Sequence, residues 1–209
     1  MRKEVLPRRK KGGTNSPGRE KRGVAGTLIL IRHGRTEWNE KGKYQGQSDP
    51  PLNEEGRRQI KHLSFELCSL GGDIIYTSPL KRAKETASIL AEKMSVKVIE
   101  DPDLMEMNLG EWEGATRDEI LKRYPRLLRL WEENPWEVQI PGGENLSLVA
   151  ERVYRFLDRV SEKHREGKII AVTHLIPIFL IRVKLNGIHP SKIWEQSFPN
   201  GHMELFPLP

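Results

Sequence analysis

The sequence predicts an α/β fold with a mostly parallel central sheet. Three observations carry that expectation: short β-branched apolar runs alternate with stretches of helical periodicity, four strand-to-helix transitions follow one another, and polar or glycine-containing punctuation separates them. At 209 residues the chain is long enough for one domain with a full hydrophobic core.

Thr27-Leu28-Ile29-Leu30-Ile31 is short, β-branched and ended by Arg32-His33-Gly34, so it reads as a buried strand. A polar, glycine-containing loop from Thr36 to Pro51 follows. Asn53 then caps a helix that opens on Glu54-Glu55 and carries Ile60, Leu63, Leu67 and Leu70 on one face until Gly71-Gly72 ends it. Asp73 to Thr77 is a second strand, Ser78-Pro79 a turn, Leu80 to Lys93 a helix and Val96 to Ile99 a third strand. Asp101 to Gly114 reads as loop. Thr116 and Glu119 have capping-box spacing and start a helix towards Tyr124, and Pro125 begins a second piece through Leu128 and Trp131. Two prolines and Gly142-Gly143 make 134–145 another loop. Leu146, Val149, Val153, Phe156, Leu157 and Val160 form the apolar face of a long helix. Lys168 to Thr173 is a fourth strand ending on His174, Leu175 to Leu185 is helical, and Met203 to Phe206 closes as an edge strand.

The net charge of +6 is unevenly spread. Residues 1–22 hold nine Lys/Arg and two acids, or +7, whereas the remainder, with 26 bases and 27 acids, stands at −1. The division expected is therefore a basic, disordered tail over 1–24 and a nearly neutral domain over 25–209. The tail reads either as a tether to nucleic acid or an anionic surface, or as a solvated extension without a role. Cys68 is the single cysteine, which excludes an internal disulfide and a cysteine-rich metal site and suggests a reducing, cytoplasmic setting. No apolar run has membrane-spanning length, and no signal-peptide pattern follows the basic start.

Chemistry gathers at the strand ends. Arg32 supplies a fork of donors suited to phosphate, His33 a nitrogen that is neutral and nucleophilic near neutral pH, and Gly34 freedom to turn or to let a ligand approach. The second strand runs into Ser78-Pro79-Leu80-Lys81-Arg82, with Arg82 in a helix's first turn, and the fourth ends on His174. Strand C-termini of a parallel sheet share one edge, so two arginines, two histidines and a helix N-terminus converge there on what reads as an anion pocket for a phosphoryl group.

These stretches resemble the histidine phosphatase superfamily, the group that contains cofactor-dependent phosphoglycerate mutases. The matching segments are Leu30 to Asn39, Asp49 to Gly56, Tyr76 to Ala87, Leu104 to Gly114, Pro141 to Asn145 and Val172 to His174, spread over about residues 26–206. The resemblance implies a three-layer α/β/α sandwich with a small helical cap, from the 108–145 segment, over the active site. It implies His33 as the nucleophile that becomes phosphohistidine, with Arg32, Arg82 and His174 around the phosphoryl group. Asn39 matches a residue that helps bind phosphoryl oxygens, and backbone amides near Gly46 join the pocket in relatives. Glu106 stands where phosphatases of the group keep the general acid, with Glu111 and Glu113 as alternatives. A neutral His33 should donate from its other ring nitrogen to a fixed acceptor, a backbone carbonyl. No metal or other cofactor is implied, and His62 and Cys68 lack a recognisable ligand cluster. His62, His164, His189 and His202 read as surface or packing residues, and Trp112, Trp131 and Trp136 as core or as a wall for an apolar leaving group.

One departure bears on substrate. Many relatives have glycine after the second catalytic histidine, where this chain has Leu175-Ile176-Pro177, so the pocket wall should be bulkier and more apolar. The expected activity is a metal-independent phosphomonoester phosphatase acting on a small phosphorylated metabolite, α-ribazole 5′-phosphate or a broad range. The alternatives are a phosphoglycerate mutase, disfavoured by the short stretch between Gly114 and Gly142, and a non-catalytic phospho-ligand or nucleic-acid binder.

Overall fold

A computed structural model describes residues 26–195 and 198–208; the basic segment expected over 1–24 lies outside them. Five strands form one sheet in the order β3-β2-β4-β1-β5: β1 (Thr27–Arg32), β2 (Ile74–Thr77), β3 (Lys97–Glu100), β4 (Lys168–Thr173) and β5 (Met203–Pro207). β1 to β4 run parallel, and β5 lies antiparallel against β1 at the edge.

The alternation of side chains along β1 sorts the helices into two layers. Ile29 and Ile31 face a core shared with Ile75, Ile170 and Val172 and covered by α2 (Glu54–Leu70) and α3 (Lys81–Met94). Leu28 and Leu30 face the other way, with Ile169 and Ala171, towards α6 (Leu146–Lys163) and α7 (Leu175–Asn186). Each of these buried Leu, Ile and Val side chains contributes about 1.5–3 kcal/mol. The result is the three-layer sandwich expected. α7 differs from its neighbours in being apolar almost all round, because Ile176 to Ile181 are buried without interruption. Among the described residues no helix is long and apolar enough to cross a membrane.

Two short helices, α4 (Arg117–Arg123) and α5 (Pro125–Glu133), make the cap. Thr116 and Glu119 cap α4 reciprocally, and Pro125 opens α5, as their spacing predicts. Trp112 and Trp131 meet edge-on beneath them at 6.0 Å between ring centroids. The stretch 36–51 is not wholly loop. Thr36 and Asn39 form a capping box that starts the one-turn α1 (Glu37–Glu40).

Gly34 is needed for packing against α2. A Cβ there would lie 2.9 Å from the Gly56 carbonyl oxygen and 2.8 Å from Ile60. The close approach at Gly34 is thus to a helix.

Candidate active site

Sheet register brings the chemistry together. Arg32 pairs with Thr173 and Thr77 with Val172, so His33, Ser78 and His174 all follow strand ends on the same edge. His33 opens onto a cavity of about 400 Å³ lined also by Arg32, Asn39, Gly46, Arg82 and Glu106, while Ser78 and His174 are fully buried and do not line it. The ring centroids of His33 and His174 are 5.0 Å apart.

His33 is buried, and its Nδ1 lies 2.7 Å from the Gly34 carbonyl oxygen. A carbonyl only accepts, so Nδ1 carries the proton and Nε2 keeps its lone pair. Burial, then the Arg82 and Arg32 charges, hold the His33 pKa well below the usual 6.5, against a smaller opposing effect of the Gly34 carbonyl. The ring is therefore neutral at neutral pH. His174 is depressed in the same way, chiefly by burial and then by Arg82. Its Nε2 lies 2.8 Å from Ser78 Oγ, while Nδ1 has no partner.

Arg82 is wholly buried in the first turn of α3 and donates to the carbonyls of Gly46 at 2.7 Å and Ser48 at 2.8 Å. Burial lowers its pKa to about 10, opposed by Glu106 first among its acidic neighbours. Arg32 donates to the Phe198 carbonyl and is lowered by burial too. Both guanidinium groups leave a buried Nε without a partner. Asn39 turns its Oδ1 to the backbone N–H and hydroxyl of Thr36, each at 3.0 Å, which leaves its amide nitrogen as the end available to a ligand. Gly46, at φ +53, contributes its carbonyl to Arg82, and the neighbouring amides of Gln47 and Ser48 are turned to Glu113.

Glu106 meets the first turn of α7. Its carboxylate accepts from the backbone N–H groups of Met107 at 2.9 Å, Leu175 at 3.2 Å and Ile176 at 3.3 Å. Burial nonetheless raises its pKa above 4.5, outweighing Met107 and the charges of Arg82, Arg32 and Arg152. Neither alternative carboxylate lines this cavity. Glu113 is saturated by Gln47 N, Ser48 N, Ser48 Oγ and Leu109 N, and Glu111 accepts from the Tyr124 hydroxyl. Glu132 does reach the cavity rim, but Arg117 holds both its oxygens, at 2.6 and 2.9 Å.

Tyr44, Leu109, Trp131, Leu175, Ile176 and Trp194 form an apolar wall above the charged floor. Leu175 therefore stands where its position after His174 predicts, and Trp131 serves both core and cavity. Trp112 is core only, and Trp136 packs partly buried against the same cluster. None of His62, His164, His189 and His202 lines the cavity. Sequence reasoning overlooked Ser78, Tyr44, Trp194 and Arg152, and weighed Glu113 only as an alternative acid. Ser78 had a usable signal, since it too follows a strand on the functional edge; Trp194 had none.

The match to known proteins follows this geometry. Residues 28–206 fit the family model described as histidine phosphatase superfamily (branch 1). The chain belongs to the histidine phosphatase superfamily. It is accordingly an enzyme of the phosphoric monoester hydrolase class. It is 39% identical over 182 residues to phosphoserine phosphatase 1 of Hydrogenobacter thermophilus, covering 85% of this chain and 86% of that protein. It is 35% identical over 150 residues to the metal-independent phosphoserine phosphatase of Arabidopsis thaliana, covering 70% of this chain and 63% of that one. Among solved structures, Bacillus stearothermophilus YhfR superposes with a TM-score of 0.82 at 30% identity, covering 87% and 90% of the two chains. A putative alpha-ribazole-5′-P phosphatase from Escherichia coli K-12 does so with a TM-score of 0.77 at 29% identity, covering 87% and 89%.

Proposed function

We propose that this histidine phosphatase hydrolyses a small phosphomonoester in two steps, without a metal, through a phosphohistidine on His33. In the first step Nε2 of His33 attacks phosphorus in line, the ester P–O bond breaks, and Glu106 gives its proton to the departing alkoxide. In the second, water attacks the phosphohistidine, Glu106 takes the water's proton, and the P–N bond breaks to release phosphate. Arg32, Arg82, His174 and the Asn39 amide hold the oxygens on which negative charge gathers. If Ser78 gives its hydroxyl proton to His174 Nε2, neutral His174 carries its own proton on Nδ1, where it is a donor to the phosphoryl group.

The observation that carries this reading is the fixed tautomer of His33, with Nδ1 donating to Gly34 and Nε2 free in a cavity that the buried Arg82 and the half-buried Arg32 also line. The raised pKa of Glu106 supports its role, because the first step needs the acid protonated. Among the described residues no cluster of three His, Cys, Asp or Glu side chains is arranged to hold a metal ion. The catalytic domain is taken as 25–209, with 1–24 as an appended basic tail, and the single exposed cysteine fits a reducing, cytoplasmic location.

For the substrate, the apolar wall favours a phosphomonoester whose leaving group carries an apolar or flat body, the class to which α-ribazole 5′-phosphate belongs. Phosphoserine, which names the substrate of the relatives at 39% and 35% identity, is the principal competitor. The test is an assay of EDTA-treated protein on α-ribazole 5′-phosphate, phosphoserine, phosphoglycerates and p-nitrophenyl phosphate. Phosphate release that survives EDTA and falls by several orders of magnitude in His33→Ala is expected. Activity retained by His33→Ala overturns the mechanism. Interconversion of phosphoglycerates without phosphate release favours a mutase instead.

A further inference from the structure

Arg152, on α6, lies outside the cavity lining yet spends its whole donor set beneath the loop that carries Glu106. Its Nη1 donates to the carbonyls of Asp103 at 3.1 Å and Met105 at 2.6 Å, and its Nη2 to the carbonyl of Glu106 at 3.0 Å. Nε and Nη2 also reach Glu144, at 3.2 Å each. A guanidinium has five N–H groups, so none is left over. Both partners are largely shielded from water, with side-chain exposures of 13% and 21%. Glu144 carries the tie onwards: its Oε2 accepts from Asn108 N at 2.7 Å, and its own N–H donates to the Asn108 carbonyl at 2.8 Å. Gln47 adds a further donor to the Glu106 carbonyl at 3.1 Å.

The carbonyls of Asp103, Met105 and Glu106, three within a four-residue stretch, all converge on this one guanidinium. Residues 103–106 form no strand or α-helix, so no sheet ladder fixes the Glu106 backbone. The arginine replaces that ladder. It also counterbalances the opposite side of the residue, where the Glu106 carboxylate meets the N–H groups of Leu175 and Ile176. The acid is thus gripped at both ends, main chain by Arg152 and carboxylate by α7.

We propose that the Arg152–Glu144 pair is a positioning device for proton transfer, setting where the Glu106 carboxyl stands relative to the leaving oxygen. The proposal rests on the reading of Glu106 as general acid. In the first step a misplaced acid slows esters that need a proton on departure and spares those that do not, whereas the second step is the same for both.

The test compares Arg152→Lys, Glu144→Gln and Glu106→Gln on an alkyl phosphate and on p-nitrophenyl phosphate. Lysine keeps the charge but not the five-donor fork, so Arg152→Lys should lower kcat/KM, which reads the phosphorylation step, about 10- to 100-fold more on the alkyl ester than on the aryl ester. Glu144→Gln keeps the shape of the partner and should give a smaller split in the same direction. It decides the matter if Arg152→Lys fails to fold. Equal losses on both esters, or none, in a folded Arg152 or Glu144 variant overturn the proposal while Glu106→Gln shows the split. If Glu106→Gln itself shows no split, the assignment of the acid fails first.

Discussion

Replacing Gly46 by alanine tests whether the anion pocket is built on a staple made by Glu113. Gly46 sits at φ +53, where an alanine costs about 1–2 kcal/mol. The space is also taken: a Cβ would stand 2.1 Å from Glu113 Oε1 and 2.6 Å from its Cδ. The carboxylate cannot retreat freely, because it accepts from Gln47 N at 2.8 Å, Ser48 N at 2.7 Å, Ser48 Oγ at 2.6 Å and Leu109 N at 3.1 Å. A hydrogen bond to a charged acceptor contributes about 1.5–3 kcal/mol, so losing one of them with the backbone cost gives a destabilisation of about 2.5–5 kcal/mol. Urea unfolding of Gly46→Ala, Glu113→Ala and the double variant measures it. Once Glu113 is truncated, Gly46→Ala should cost only the backbone part, about 1–2 kcal/mol. Catalysis should fall with stability, because Arg82 is held by the carbonyls of Gly46 and Ser48. Loss of an oriented donor of this kind costs about 100-fold or more in kcat/KM. A Gly46→Ala protein that loses less than about 1 kcal/mol and keeps full activity refutes the reasoning.

Other consequences follow from the buried titrating groups and the cavity wall. With alkyl esters, kcat/KM should rise with pH through a His33 pKa well below 6.5 and fall again at a Glu106 pKa above 4.5; Glu106→Gln should erase the falling limb, and a limb that persists assigns it elsewhere. Because His33 and His174 are depressed in the folded protein, the unfolded chain binds more protons below pH 6.5, so stability is full above that pH and is lost as pH falls through the folded pKa values. His33→Asn and His174→Asn should each flatten the acid side of a Tm-against-pH curve, and an unchanged slope contradicts their burial as neutral rings. Leu175→Gly should open the wall and raise the activity on small polar esters relative to esters with flat apolar leaving groups. An unchanged preference removes Leu175 from substrate choice.

Much of the site was readable because its chemistry stands where strands end. Arg32, His33 and His174 each close or follow an apolar run, and Arg82 opens the helix after the second; parallel register then does the gathering. The strands and long helices were legible for the same reason, since a half-buried strand or helix must repeat its apolar residues with its own period. Legibility failed where a role depends on contacts far apart in sequence. Glu113 reads like Glu106 along the chain, and only its four donors separate a staple from an acid. Arg152 looks like any basic residue on an amphipathic helix, and its carbonyl partners lie 46 to 49 residues away. α1 was hidden for a different reason: a single turn has too few residues to show periodicity, although Thr36 and Asn39 have the spacing of a cap.

The most direct test of the account is to identify the phosphorylated residue during turnover. Protein mixed with excess substrate, quenched in alkali within milliseconds and mapped by mass spectrometry should carry phosphate on His33, and the linkage should be acid-labile and stable to base. Phosphate on another residue, or hydrolysis with inversion of configuration at phosphorus, would contradict a double displacement through His33 Nε2.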